Sequence, residues 1–141
     1  MPKPRLRPAT PADLPRIHAV RHGTAENRLT NPALVTDAEV AWYMHEAIFL
    51  VSEDEEGVQG FTCANHQTGD VWALFVIDGK HGRGHGTALL DAALTRLRQA
   101  GHLQAILATG RGTTAEAFYR ARGWQPTGIN MSGDLVLRRF L

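Results

Sequence analysis

The segment that most constrains this chain is the almost wholly apolar run from Val71 to Ile77 together with the glycines that follow it. Gly79, Gly82, Gly84 and Gly86 fall within eight positions. An apolar run of that length reads as a central strand covered on both faces. Beyond the glycines, Leu90, Ala93, Leu94 and Leu97 recur at helical spacing, so a helix is expected from about Gly84 to Ala100, stopped by Gly101. Glycine permits positive φ and close approach of a ligand to the main chain. The first turn of the helix adds unpaired N–H groups and the positive end of its dipole. Together they make an anion site. Fifteen Lys and Arg against fourteen Asp and Glu leave a net charge of +1, far from the balance of a dedicated nucleic-acid binder. The anion must therefore be met locally, and Lys80 and Arg83, with His81 and His85, are the expected sources of positive charge.

The rest of the chain reads as alternating helices and strands. Three Thr residues stand three positions ahead of an acid, the signature of a helix start: Thr10 with Asp13, Thr36 with Glu39, and Thr113 with Glu116. They open helices running to about Thr24, through Val40, Tyr43, Met44 and Ala47, and up to Gly123. Strands are expected at Arg5 to Arg7, Ala47 to Ser52, Val58 to Ala64, Val71 to Ile77, Leu103 to Thr109 and Asp134 to Arg139. The second and third form a hairpin around Glu53-Asp54-Glu55-Glu56-Gly57, an acidic run that reads as a solvated turn. This order calls for a mixed α/β sheet with helices on its faces. At 141 residues the chain is expected to be one domain, residues 1–141, large enough for its own core. One cysteine, Cys63, excludes a disulfide framework and reads as core. With neither a signal-like start nor a run of about 18 apolar residues, the expected compartment is the cytoplasm, with no membrane partner.

Two familiar phosphate loops fail on particular residues. No lysine follows Gly86 ahead of Thr87, as a Walker A loop requires, and Leu89 occupies the third small position of a dinucleotide fingerprint. The spacing from His81 through Gly84 to Gly86 instead resembles the pyrophosphate motif of the GCN5-related N-acetyltransferase superfamily, in which Gln or Arg and two residues precede Gly-x-Gly or Gly-x-Ala. His81 departs from the usual Gln or Arg. A second segment, Thr114-Ala115-Glu116-Ala117-Phe118-Tyr119-Arg120-Ala121-Arg122-Gly123-Trp124, is similar to the family's later helix, with Gly112 where an Asn is frequent.

The resemblance implies a mixed, mostly antiparallel sheet with about four flanking helices and two splayed parallel central strands, Val71 to Ile77 and Leu103 to Thr109. Acetyl-coenzyme A, the acyl donor, would enter between them. It implies that Phe75, Val76 and Ile77 pair with the pantetheine arm as if with an added strand, and that His81, Arg83, Gly84, His85, Gly86 and Thr87 hold the pyrophosphate. The implied activity is transfer of acetyl from the thioester to a primary amine by direct attack. Expulsion of a thiolate is helped by a proton donor, and Tyr119, matching the family's general acid, is protonated at neutral pH. No Glu lies between Gly57 and Gly112, so Asp70, with His66 just before it, is the nearest carboxylate for a base, and the amine can also lose its proton to solvent. Asn27 and Arg28, between the first two helices, fall where the family builds part of its acceptor site. No metal is expected: His18 and His22 have no partner motif. The acceptor is a small-molecule or peptide amine, and homodimers are common among proteins of this kind. The competing readings are a non-catalytic module that binds coenzyme A as a regulatory ligand and a nucleic-acid-binding domain; the near-neutral charge disfavours the latter.

Overall fold

A computed structural model describes residues 4–22 and 37–141. In chain order they form β1 (Arg5–Pro8), a 3-10 turn (Pro11–Asp13), α1 (Leu14–His22), α2 (Asp37–Glu46), β2 (Ile48–Asp54), β3 (Gly57–Asn65), β4 (Asp70–Val76), α3 (His85–Gln99), β5 (Gln104–Thr109), α4 (Thr114–Ala121), β6 (Gln125–Ile129) and β7 (Leu135–Phe140). The strands make one seven-stranded sheet in the order β1-β2-β3-β4-β5-β7-β6. All neighbours run antiparallel except β4 and β5. This is the mixed, mostly antiparallel sheet expected from the sequence.

Each face of the sheet buries its own apolar cluster. On one, Leu89, Leu90, Ala93, Leu94 and Leu97 of α3 and Tyr119 of α4 pack with Val71, Ala105, Leu107 and Leu137. On the other, Ile17 and Val20 of α1 and Val40 of α2 pack with Phe49, Phe61, Cys63 and Ala73. The apolar face that the spacing assigned to α3 is the face it buries.

The helix starts follow the capping logic with one local change. The Asp13 carboxylate accepts the Thr10 N–H at 2.8 Å, but residues 11–13 wind as a 3-10 turn before α1 begins. Arg7 of β1 grips the same carboxylate through both terminal guanidinium nitrogens, each at 2.8 Å. That bidentate pair holds Asp13 down to a pKa of about 2 and ties the first helix to the first strand. At α4 the Thr113 hydroxyl accepts the Glu116 N–H at 3.1 Å, while Glu116 reaches back to the Gly112 N–H at 3.1 Å. The expected cap at Thr36, and the end of the first helix at Thr24, lie outside the described residues. Among the described residues no helix is long and apolar enough to cross a membrane.

Candidate functional site

The central strands separate within the sheet. Between β4 and β5 a single residue pair is in register, Asp70 with Ile106, reinforced by the Ile106 N–H to the Gly69 carbonyl at 3.1 Å. Beyond that apex β5 goes on to pair with β7 through Thr109, and β4 goes on with β3 through Val76. The edge of β4 that faces β5 is thus unmatched by it along most of its length. Register decides which groups face that edge. The Ile77 N–H donates to the Gln59 carbonyl at 2.9 Å, so Ile77 opposite Gln59 is a hydrogen-bonded pair. Antiparallel pairs alternate. Phe75 opposite Phe61 is then bonded to β3 as well, whereas Leu74 and Val76 turn their main-chain groups toward β5. Of the expected trio Phe75, Val76 and Ile77, Val76 has its main chain on the β5 side together with Leu74, whereas Phe75 and Ile77 use theirs on β3. An irregularity near the apex sets Cys63 opposite Ala73 and Ala64 opposite Val71, leaving Trp72 as the extra residue of a bulge. Trp72 stacks on Tyr43 of α2, with ring centroids 4.4 Å apart and planes 7° apart.

The turn after β4 fulfils the glycine expectation. Gly79, Gly82 and Gly84 have φ of 93°, 79° and 89°, values that side chains rarely adopt, and Gly84 is the N-cap of α3. Gly86 differs from them in having an ordinary φ. A Cβ there would make ordinary contacts, 3.5 Å from the Phe118 ring and 3.7 Å from Val76, so the first turn of α3 lies between α4 and β4.

Charge in this turn is distributed differently from the sequence expectation. Lys80 sits 3.4 Å from Asp54 and 3.1 Å from Glu56. The acidic run at the hairpin is therefore a brace for the glycine loop as well as a solvated turn, and Lys80 is neutralised by it. His85 is buried, and its Nδ1 lies 2.6 Å from the buried Ser52 hydroxyl, with Nε2 3.7 Å from Asp54. Burial lowers its pKa; Asp54 opposes this, while Lys80 and Arg83 add to it. The His85 side chain is thus an uncharged anchor to β2, and only its main chain is placed at the helix start. On Asp54, desolvation is outweighed by the Glu56 N–H, the Gln59 amide and Lys80, and its carboxyl stays below its usual pKa. His81 is exposed and pairs with Asp78 at 3.5 Å. Arg83 is exposed and has no ion pair among the described residues.

From the other side, α4 brings a tyrosine and an unforeseen arginine. Tyr119 is 6% exposed, edge-on to Phe118 and Trp124 at 5.4 and 5.6 Å, and shares its buried cluster with Val71 of β4 and Leu107 of β5. Burial raises its pKa, so the hydroxyl holds its proton across the physiological range. Arg122 lies just past α4, its guanidinium 3.7 Å above the Phe118 ring. It donates to the Phe118 carbonyl at 3.1 Å and to the Thr87 hydroxyl at 3.0 Å. Sequence spacing had passed over Arg122; the two-apart placement of Arg120 and Arg122 ahead of Gly123 was the one signal available.

Asp70 stands at the closed apex, about 20 Å along the strand from Val76 at ~3.3 Å per residue. Its carboxylate accepts the Thr68 hydroxyl at 2.8 Å within the turn that also holds His66, whose carbonyl accepts from His102. Asp70 is therefore not brought to the glycine loop. Cys63 is fully buried, and burial alone lifts its thiol pKa well above the usual range. Asn27 and Arg28 lie outside the described residues. Among the described residues no group of three or more His, Cys, Asp or Glu is placed to hold a metal.

The chain is similar to known proteins in both sequence and fold. Residues 45–126 match the family model described as acetyltransferase (GNAT) domain. Over 94 residues the chain is 31% identical to a mycothiol acetyltransferase of Beutenbergia cavernae, covering 63% of this chain and 32% of that relative, so the match spans about a third of the relative's length. A GCN5-related N-acetyltransferase structure from Rhodopseudomonas palustris superposes with a TM-score of 0.81 at 20% identity, over 100% of this chain and 98% of the other. The PaiA N-acetyltransferase of Thermoplasma acidophilum, solved with coenzyme A, gives 0.79 at 14% identity, over 99% and 100%.

Proposed function

The chain belongs to the GNAT acetyltransferase family, and from that premise we propose that it is an acetyl-coenzyme A-dependent N-acetyltransferase acting on a primary amine, with residues 1–141 working as one catalytic unit. The observation that carries this reading is the wedge in the sheet, a strand edge that opens beyond the Asp70–Ile106 pair and leads to a helix start lined by Gly84 and Gly86. Its parts fit the donor. Leu74 and Val76 lie with their main chain on the β5 side of β4, along which an extended arm could run as in β-augmentation. The Gly84 to Thr87 turn and Arg83 suit a diphosphate, and His81 stands at the motif's first position. When bound, the thioester would supply an activated acyl group.

The chain's own contribution is alignment and proton supply. The wedge holds the donor extended, so that an amine can approach the acyl carbon directly. Tyr119, buried in the cluster that holds Val71 of β4 and Leu107 of β5, keeps a proton at its hydroxyl for the departing sulfur. The amine proton passes to water; Asp70 is the carboxylate the strand offers at the apex, and its bond to Thr68 makes it the secondary choice. Asn27 and Arg28 are proposed acceptor contacts.

The test has two stages. A rise in melting temperature with acetyl-coenzyme A at concentrations well above micromolar is expected, because a ligand bound by the folded state alone stabilises it. Release of free thiol with a panel running from small amines to peptide α-amines then separates enzyme from ligand sensor. Absence of any thermal shift would remove the donor reading, and a shift without turnover across the panel would favour the regulatory module.

A further inference from the structure

The basic side chains around the glycine turn divide into those already partnered and those without a carboxylate partner. Lys80 is held by Asp54 and Glu56, and His85 by Ser52. His81 faces Asp78, and Arg120 pairs with Glu116 at 3.0 Å. Arg122 has no carboxylate partner among the described residues, yet it is held in one place. The Phe118 ring supports its guanidinium, and the Phe118 carbonyl and Thr87 hydroxyl each take one of its hydrogens. Arg139 fixes the backbone beneath it by donating to the Arg122 carbonyl at 3.0 Å.

That position is electrostatically unfavourable when nothing negative is present. Thr87 belongs to the first turn of α3, where the helix dipole is already positive. A guanidinium bonded there places like charge against like. Two of its five donors are used, which leaves three for a ligand. Because Thr87 accepts from Arg122, its own hydroxyl hydrogen is directed elsewhere and can serve the same ligand. A planar, stacked, pre-placed guanidinium suits a phosphate better than an ammonium does.

Resting on the donor reading above, we propose that Arg122 is a phosphate-binding residue of the donor site, gripping the diphosphate of coenzyme A from α4 while the main chain of α3 holds it from the opposite side. The local charge that the neutral composition demands then comes from Arg83 and Arg122.

The experiment measures dissociation constants of acetyl-coenzyme A and of 3′-dephospho-acetyl-coenzyme A by calorimetry for the wild type, Arg122→Ala, Arg122→Gln and Arg122→Lys. Loss of a charged hydrogen-bonding partner is expected to weaken both ligands about tenfold or more in the first two variants. Lys restores part of the loss, and the gap to wild type narrows as salt rises. The exposed side chain leaves the unliganded melting temperature nearly unchanged; should Ala perturb it, Gln keeps part of the stem and an uncharged polar head and carries the comparison. Equal affinities for wild type and the Ala and Gln variants would overturn the proposal. So would weakening confined to the 3′-phosphorylated ligand, which would move Arg122 to that phosphate. If the wild type bound neither ligand, the donor reading itself would fall, an outcome distinct from any behaviour of the variants.

Discussion

At its N-terminal end β4 has a strand neighbour on each side, Asn65 of β3 opposite Asp70 and Ile106 of β5 alongside it, whereas at its C-terminal end it keeps β3 and has parted from β5. The closed end finishes in an ordinary turn, Thr68 bonded to Asp70. The open end finishes in three glycines of positive φ and the start of α3. One strand thus supplies both continuity of the sheet and its interruption. The lesson is that the interruption is held open by its surroundings. Lys80 and His85 tie the glycine turn to the β2–β3 hairpin, Phe118 lies beside Gly86, and the single Asp70–Ile106 pair fixes where the strands begin to part.

Five changes would break or sharpen that contrast. The largest effect belongs to Tyr119, which lies among the side chains of both parted strands. Tyr119→Phe is expected to cut turnover by about 10²-fold or more, in the range typical of lost general-acid catalysis, while calorimetry finds donor affinity little changed; undiminished turnover would end the general-acid role. Next come the glycines of the open end. Gly84→Ala must hold φ near 89°, a strain of about 1–2 kcal/mol, and should weaken acetyl-coenzyme A about tenfold. Gly86→Ala meets only ordinary contacts and should change affinity less than about threefold, within the span of a small packing adjustment.

A smaller effect follows from the His85 anchor. Its folded pKa lies below the ordinary value, so the unfolded chain binds a proton first as pH falls, and stability is lost below about pH 6.5. The wild-type melting temperature should drop by a few degrees more between pH 7.5 and 5.5 than that of His85→Leu. Parallel curves would show that His85 takes up its proton equally in the folded and unfolded chain. The smallest effect is expected at the closed end. Asp70→Asn should lower turnover by less than about threefold, because the Thr68 hydroxyl can still be bonded by the amide oxygen; a tenfold loss with a displaced acidic limb of the pH profile would make Asp70 the base.

Legibility in the sequence tracked how local each determinant is. β4, the glycine turn and α3 were readable because apolar run, glycines and helical spacing lie within one continuous segment. The α4 start was readable from Thr113 and Glu116. β6 was not, since Gln125–Ile129 is exposed throughout, contains Pro126 and Gly128, and is a strand by virtue of pairing with β7. Of the expected charges, Lys80 and His85 were misassigned because their partners, Asp54, Glu56 and Ser52, come from a hairpin more than twenty residues earlier. Which β4 residues turn their main chain toward β5 was not readable, since sequence shows alternation but not its phase, and the phase is set by the bond from Ile77 to Gln59. Arg122 was missed for the same reason, its meaning depending on Thr87 at the start of another helix.

The position of the wedge also bears on how the protein behaves in a crowded cell. An unmatched strand edge is ordinarily an invitation to self-association, which natural sheets blunt with charge, proline or a cover. Here it opens in the middle of the sheet, between β4 and β5, with α3 and α4 packed across one face. A neighbouring polypeptide seeking to add a strand would have to thread a gap that is pinched shut at Asp70 and Ile106. A slender chain can enter where a peptide with side chains on both faces is obstructed, so the geometry that suits the proposed donor also screens the edge from aggregation.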